Sequence, residues 1–199
     1  MYTIKQRRFF TKREYNILDN KLHFKTSYIG GEGESIISFE NITKEKTTYK
    51  SQNSAILIIS LFIYTFALVS FLIRKEKDVD PDMWIACTFI ASTLMIVYVI
   101  MRENSWKIRL YNNGYLYIFK NIPHKNFTDE FISTLFAELD KYLKEIYLSL
   151  DPNLSYNTQI NDLKWLRSVE AVSKEEFDKY YEELKLLYAP KKGSIGFER

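Results

Sequence analysis

The sequence predicts an α+β membrane protein, in which a two-helix transmembrane hairpin is inserted into an antiparallel sheet closed by one C-terminal amphipathic helix, with a short helical pair as a tail. Three observations predict it. Two long apolar runs carry no charge and lie close together. On both sides of them, residues alternate between apolar and polar and are punctuated by hairpin-turn signals. After the second run, apolar residues recur every three or four positions, the period of a helix with one buried face.

The composition belongs to a folded chain. The 199 residues include 15 Tyr and 14 Phe but few Gly and Pro. With 28 Lys and Arg against 25 Asp and Glu, the balance is too weakly basic to point to nucleic acid. Cys87 is the single cysteine, which excludes an intrachain disulfide and a cysteine-rich zinc site. No signal peptide opens the chain, because Lys5, Arg7, Arg8, Lys12 and Arg13 occupy the first fifteen residues without an apolar core.

Residues 1–53 read as the first half of a β-rich domain. Glu14 to Leu18 and Lys21 to Thr26 flank Asp19-Asn20, a hairpin-turn signal. Leu22 and Phe24 alternate with Lys21, His23 and Lys25. Gly30-Gly31-Glu32-Gly33-Glu34 reads as the next turn, Ser35 to Glu40 as a strand, and Thr47 to Lys50 as an extended piece leading to the apolar runs.

Residues 54–101 carry the transmembrane hairpin, with spans 54–73 and 83–101. Ser54 to Ile73 and Met83 to Met101 contain no ionisable side chain. At ~1.5 Å per residue each run reaches roughly 30 Å, the thickness of a bilayer's hydrocarbon core. Arg74, Lys75 and Lys77 close the first span, while Trp84, Arg102 and Trp106 mark the edges of the second. The link from Arg74 to Asp82 forces antiparallel neighbours, and Pro81 suits a helix start. All but three of the 28 basic residues lie outside this link, which places both termini in the cytoplasm of a multi-pass protein of the cell (inner) membrane. Glu76, Asp78, Asp80 and Asp82 in the link count for little under that rule. Thr88/Ser92 and Cys87/Ala91 are small-residue pairs four apart, which permit close helix packing.

Residues 102–150 supply the second half of the domain. Trp106 to Tyr111 and Tyr115 to Phe119 flank Asn112-Asn113-Gly114, where Asn-Gly favours a tight primed turn. Pro123 ends the sheet. Phe127 to Leu150 then reads as a helix with Phe131, Leu135, Leu139, Tyr142 and Ile146 on one face, Asn126 or Thr128 as the cap, and Asp129 and Glu130 suited to its N-terminal dipole. Neither half has enough strands and cover to fold alone. Joined, they make six or seven antiparallel strands and a covering helix, with the transmembrane hairpin in place of an ordinary strand-to-strand loop.

That order resembles the pleckstrin-homology-like fold, a bent antiparallel sheet plus one C-terminal helix. Ser38-Phe39-Glu40-Asn41-Ile42 is similar to the "(I/P)-x-F-x-x-I" strand end of bacterial pleckstrin-homology-like membrane proteins. The resemblance covers residues 5–150, apart from the spans, and implies a cytoplasmic domain of that type.

Residues 151–199 form the helical-pair tail. Leu163 and Leu166 belong to its first helix; Ser173 is a good N-cap for the second, with Glu176 completing a capping box. Val172 and Phe177 are spaced as a hydrophobic staple, and Phe177, Tyr180, Tyr181, Leu184, Leu187 and Tyr188 form an apolar stripe. The pattern resembles the short C-terminal helical hairpin called the SHOCT domain, matched at Leu163, Leu166, Val172, Ser173, Glu175, Glu176, Phe177 and Leu184. Glu170 stands where that family usually has glycine, and Tyr181 where it has lysine. The resemblance implies oligomerisation or partner binding through Leu163, Leu166, Phe177, Tyr181 and Leu184.

Signals of catalysis and of bound cofactors are missing from the sequence. His23 and His124 read as surface histidines, and no paired metal-ligand spacing stands near either. Gly30-Gly31-Glu32-Gly33 lacks the Gly-Lys-Ser/Thr ending of a phosphate loop and carries a glutamate that repels phosphate. The expectation is therefore a non-enzymatic adaptor or scaffold without cofactor, metal or small-molecule substrate. Its partners are the lipid bilayer and either a protein, in an inhibitory, immunity-type role among others, or a second copy. The alternative is a lipid-sensing module, with Lys5, Arg7, Arg8, Lys12 and Arg13 facing anionic headgroups.

Overall fold

The structure is a computed structural model, and it describes residues 2–75 and 82–189. Lys77 and the acidic residues Glu76, Asp78 and Asp80 of the link, with Pro81 as a helix starter, lie outside the described residues, as does the tail beyond Ala189.

Among the described residues, seven strands form two antiparallel sheets. The first is the meander β1 (Tyr2–Arg8), β2 (Thr11–Ile17), β3 (Lys21–Tyr28) and β4 (Gly31–Ser38). The second is β5 (Ile42–Ser51), β6 (Glu103–Leu110) and β7 (Tyr115–Phe119). A 3-10 turn, Phe39–Asn41, passes the chain from one sheet to the other, with Phe39 and Ile42 both buried.

Several local expectations are corrected. Tyr2–Arg8, read only for its charge, is an edge strand whose Ile4 and Gln6 face inward. The turn expected over Gly30–Glu34 is confined to Ile29–Gly30, where Gly30 takes a φ of 99°; Gly31 already pairs with Tyr28. Strand β4 stops at Ser38, so Phe39 and Glu40 belong to the 3-10 turn. At Asn112-Asn113-Gly114 only Asn113 has a positive φ, 61°, so the type I′ turn that Asn-Gly favours, which needs two, does not form. Instead Tyr111–Gly114 make a longer loop in which Asn112 Oδ1 accepts from the Gly114 N–H at 3.0 Å.

Helices α1 (Ser54–Leu72) and α2 (Met83–Met101) are long and apolar enough to cross a membrane. Most of their side chains are exposed, including Ile58, Phe62, Leu72 and Phe89, unlike those of a soluble protein's core helices. They pack on each other along a seam of small residues, Ser60, Ala67, Ser70 and Ala91. Ser60 Oγ donates to Ala91 O at 2.9 Å, and the Tyr64 hydroxyl lies 2.7 Å from Ser92 Oγ. Ala91 and Ser92, members of the small-residue pairs, are thus engaged within the hairpin. The hairpin connects β5 to β6, which pair antiparallel down to Ser51 opposite Glu103. Trp106, expected to mark the edge of the second span, lies within β6, donates Nε1–H to Asp129 at 3.0 Å and is covered by the ammonium groups of Lys46 and Lys120.

The next helix, α3 (Lys125–Tyr147), starts two residues earlier than expected and ends sooner. His124 is its N-cap, with no side-chain cap bond. Neither Asn126 nor Thr128 caps it, and the Thr128 hydroxyl donates instead to Ile122 O at 3.1 Å. Its buried face is Phe131, Ile132, Leu135, Leu139 and Leu143, and the expected Ile146 is exposed. This face covers the core formed by Ile4, Tyr15, Leu22, Ile108 and Ile118 from both sheets. At roughly 2 kcal/mol for each fully buried large aliphatic side chain, this shared core is the main stabilising term of the domain.

Helices α4 (Tyr156–Ser168) and α5 (Lys174–Leu187) complete the fold. Leu166, Ala171 and Val172 join the main core, and Tyr147 on α3 meets Trp165 edge to face. Ile160, Leu163 and Leu184 make a second, smaller core. The helical pair therefore packs on its own domain.

Candidate functional site

The end of the domain that faces α1 and α2 carries the basic residues singled out in the sequence. Meander topology puts the β1–β2 turn, Phe9-Phe10, and the β3–β4 turn, Ile29-Gly30, at the same end of the first sheet; Lys12 pairs with Ser27 just below them. Two contacts tie this end to the helix pair. Arg8 donates to Val99 O at 3.3 Å, one of the last carbonyls of α2, where a cation also suits the helix dipole. Arg13 forms an ion pair with Glu103 at 3.1 Å, and its guanidinium lies over the Phe119 ring. Phe9, Phe10, Ile100 and Met101 line one shallow hollow between the turn and the end of α2.

The five basic residues divide. Arg8 and Arg13 are engaged in these structural contacts. Lys5, Arg7 and Lys12 point to the outer face of the first sheet, where they line a hollow of about 260 Å³. Glu14 and Glu32 line it as well, and Lys5 is paired with Glu14 at 3.2 Å. Arg13 and Lys25 also line it, so the expected headgroup patch stays basic on balance, with two carboxylates that lower its attraction for a phosphate.

The free edge of β7 is closed by side chains from the first sheet. Gln6, itself buried, donates to Phe119 O at 2.8 Å and accepts from the Phe119 N–H at 2.8 Å; it also donates to Ile122 O. The Tyr15 hydroxyl and Arg13 donate to Tyr117 O. Burial raises the Tyr15 phenol far above its ordinary range, so it stays a neutral donor.

The five residues expected to bind a partner lie in the tail. Leu163, Leu166 and Leu184 are buried, and Phe177 and Tyr181 are half-buried and stack on each other at 6.0 Å. In this arrangement they are the seam between α4, α5 and the domain rather than a free docking face. The expected cap is present: Ser173 Oγ accepts from the Glu176 N–H at 3.1 Å, and Glu176 accepts from the Ser173 N–H at 2.9 Å. Lys144 on α3 also binds Glu176 at 2.7 Å and, with the backbone bond, holds that carboxyl below its ordinary range. Leu187, expected in the apolar stripe, is exposed.

At Glu170 the chain adopts a φ of 58°, the left-handed conformation that glycine fills most readily. The Ala171 N–H donates to Leu166 O at 2.9 Å and the Glu170 N–H to Arg167 O at 3.2 Å, the bond pair of a Schellman helix end. Lys44 of β5 donates to Glu170 O at 2.6 Å and to Asp140 on α3 at 2.7 Å, joining the second sheet, α3 and the turn between α4 and α5. Burial pushes the Asp140 carboxyl up, against the pull of Lys44.

Gln6, Phe9 and Phe10 were not singled out in the sequence. For Gln6 a signal existed, since Tyr2, Ile4 and Gln6 alternate with Thr3, Lys5 and Arg7. The partner of Lys44 lies 96 residues away, and no local pattern announces it.

His23 sits on the outer face and meets Glu34 at 2.6 Å, while Glu32 of the glycine-rich segment lies 3.9 Å from Lys25. Among the described residues, no three His, Cys, Asp or Glu side chains converge as a metal site requires. Comparison with protein-family models, with curated proteins and with solved structures found no match to this chain.

Proposed function

We propose that this chain is a membrane-anchored, non-enzymatic adaptor or scaffold that holds a cytoplasmic α+β domain at the inner surface of the cell membrane for a protein partner or a second copy. An inhibitory, immunity-type role falls within this reading. One observation carries it: the helix pair joins two hydrogen-bonded neighbours, with Ser51 opposite Glu103 at its base. A domain attached to its anchor through two adjacent strands cannot swing as one on a flexible linker does, and fixed placement is what a scaffold needs. The four-stranded and three-stranded sheets followed by α3 support the pleckstrin-homology-like reading, and the left-handed Glu170 supports the SHOCT-like one.

The partner surface then lies away from the buried seam of the tail. Exposed Ile36 on the edge strand β4, and Tyr111 and Tyr115 beside the β6–β7 loop, are its best marked positions. Chemical crosslinking in intact membranes, with Ile36, Tyr111 and Tyr115 each replaced by a photoreactive residue, tests the proposal. A defined crosslinked species at these positions supports it. Crosslinks to lipid alone favour the second reading, a lipid-sensing module, for which the position of the β1–β2 turn against the end of α2 speaks.

A further inference from the structure

The two hairpin turns at the helix-facing end of the first sheet differ from those at the far end. Far from the helices the turns are polar: Asp19-Asn20 between β2 and β3, and Asn112-Asn113-Gly114 between β6 and β7. Their common location is marked by the 3-10 turn, since the Phe39 N–H donates to Asn20 O at 3.1 Å and the Tyr111 N–H to Asn41 O at 2.9 Å. At the helix-facing end the turns carry large apolar side chains that stay largely exposed among the described residues. Phe9 is 49% exposed, Phe10 61%, Tyr28 54% and Ile29 73%. Phe9 holds a φ of 47°, an uncommon conformation for an aromatic residue.

We infer that these two turns are a membrane wedge: Phe9, Phe10, Tyr28 and Ile29 enter the headgroup region of the same leaflet from which α2 emerges, and so set the domain end-on against the bilayer. The inference rests on the reading of α1 and α2 as membrane spans. The occupant follows from continuity. Phe9 and Phe10 share a hollow with Ile100 and Met101, the last residues of α2. Any bilayer that covers the final turn of α2 reaches the β1–β2 turn as well, and the β3–β4 turn stands beside it in the same sheet. Aromatic side chains favour this interfacial depth, where an apolar ring meets a polar surface. Arg7 and Lys12, register partners just behind Phe9 and Phe10, lie at headgroup height and complement anionic lipid. A second protein is disfavoured because the lipid flanking α2 already occupies that side of the turn.

The test uses the full-length protein in vesicles of phosphatidylethanolamine and phosphatidylglycerol, with Cys87→Ala as background. Phe10→Cys, Ile29→Cys, Phe62→Cys and Asn20→Cys each carry one nitroxide, and collision with oxygen and with a water-soluble nickel chelate is measured by electron paramagnetic resonance. The wedge predicts that positions 10 and 29 favour oxygen, as position 62 on the exposed face of α1 does, while position 20 favours nickel. Nickel-favouring signals at position 10 or 29, with position 62 in lipid, overturn the wedge and leave the membrane anchor standing. A nickel-favouring position 62 overturns the anchor and the wedge together. An oxygen-favouring position 20 overturns the end-on orientation.

Discussion

The side-chain amide of Gln6 makes with Phe119 the paired bonds that a neighbouring strand would make, donating to its carbonyl and accepting from its N–H, both at 2.8 Å. One buried side chain thereby links β1 to the free edge of β7, across two sheets that are otherwise separate ladders.

Replacing it tests that link. Gln6→Leu keeps the volume but orphans the Phe119 N–H and carbonyl, while Ile122 O keeps its bond from the Thr128 hydroxyl, and buried unsatisfied groups cost about 1–3 kcal/mol each. A large fall in thermal midpoint in mild detergent is expected. Gln6→Glu should also destabilise, since a carboxylate accepts from the N–H but donates to neither carbonyl. A Gln6→Leu variant with wild-type stability would remove the bridge from the account.

Glu170 makes the opposite prediction. Its left-handed backbone costs an L-residue roughly 1 kcal/mol that glycine does not incur. Glu170→Gly should therefore raise stability by about that amount, because the Lys44 contact is to the backbone carbonyl and survives. A loss of stability would mean that the Glu170 side chain has a role of its own.

Leu184 is fully buried where α5 meets Ile160 and Leu163. Leu184→Ala should cost roughly 2–5 kcal/mol. If α5 is an integral part of the domain, unfolding stays a single transition at lower temperature. If the tail were an independent module, circular dichroism would show it melting first and the sheet transition unmoved.

The Glu176 carboxyl is lowered from its ordinary value of 4.5, first by the Lys144 ammonium and then by the Ser173 N–H. A depressed carboxyl contributes stability above its unfolded-state value and loses it as the pH falls through its folded-state value. Contact between α5 and α3 should weaken with acidification below about pH 4.5. Glu176→Gln should flatten that part of the pH profile, followed by the fluorescence of Trp165 beside Tyr147.

Features written within one turn or one helix were legible in the sequence. The charge-free spans, the Asp19-Asn20 turn and the Ser173/Glu176 capping box depend on neighbours at most a few residues away. Where two turn types compete, local signals misled: Asn113-Gly114 forms part of a longer loop, because Gly114 accepts from the Leu110 N–H and Asn112 bonds its N–H. The site at the helix-facing end was read as charge alone. What Arg8 and Arg13 do there depends on Val99 and Glu103, about ninety residues further along the chain. In the tail, the apolar pattern that could serve a partner serves the chain's own core, and periodicity does not distinguish the two.

The central claim is that one cytoplasmic domain is interrupted between β5 and β6 by a hairpin that crosses the bilayer and returns. The most direct test is side-specific cysteine labelling in intact cells, with a membrane-impermeant maleimide on single-cysteine variants in a Cys87→Ala background. Lys75→Cys, at the far end of α1, should react from outside, whereas Asn20→Cys and Asn161→Cys should react only after lysis. Labelling of all three from the same side, or the reverse pattern, would contradict the claim.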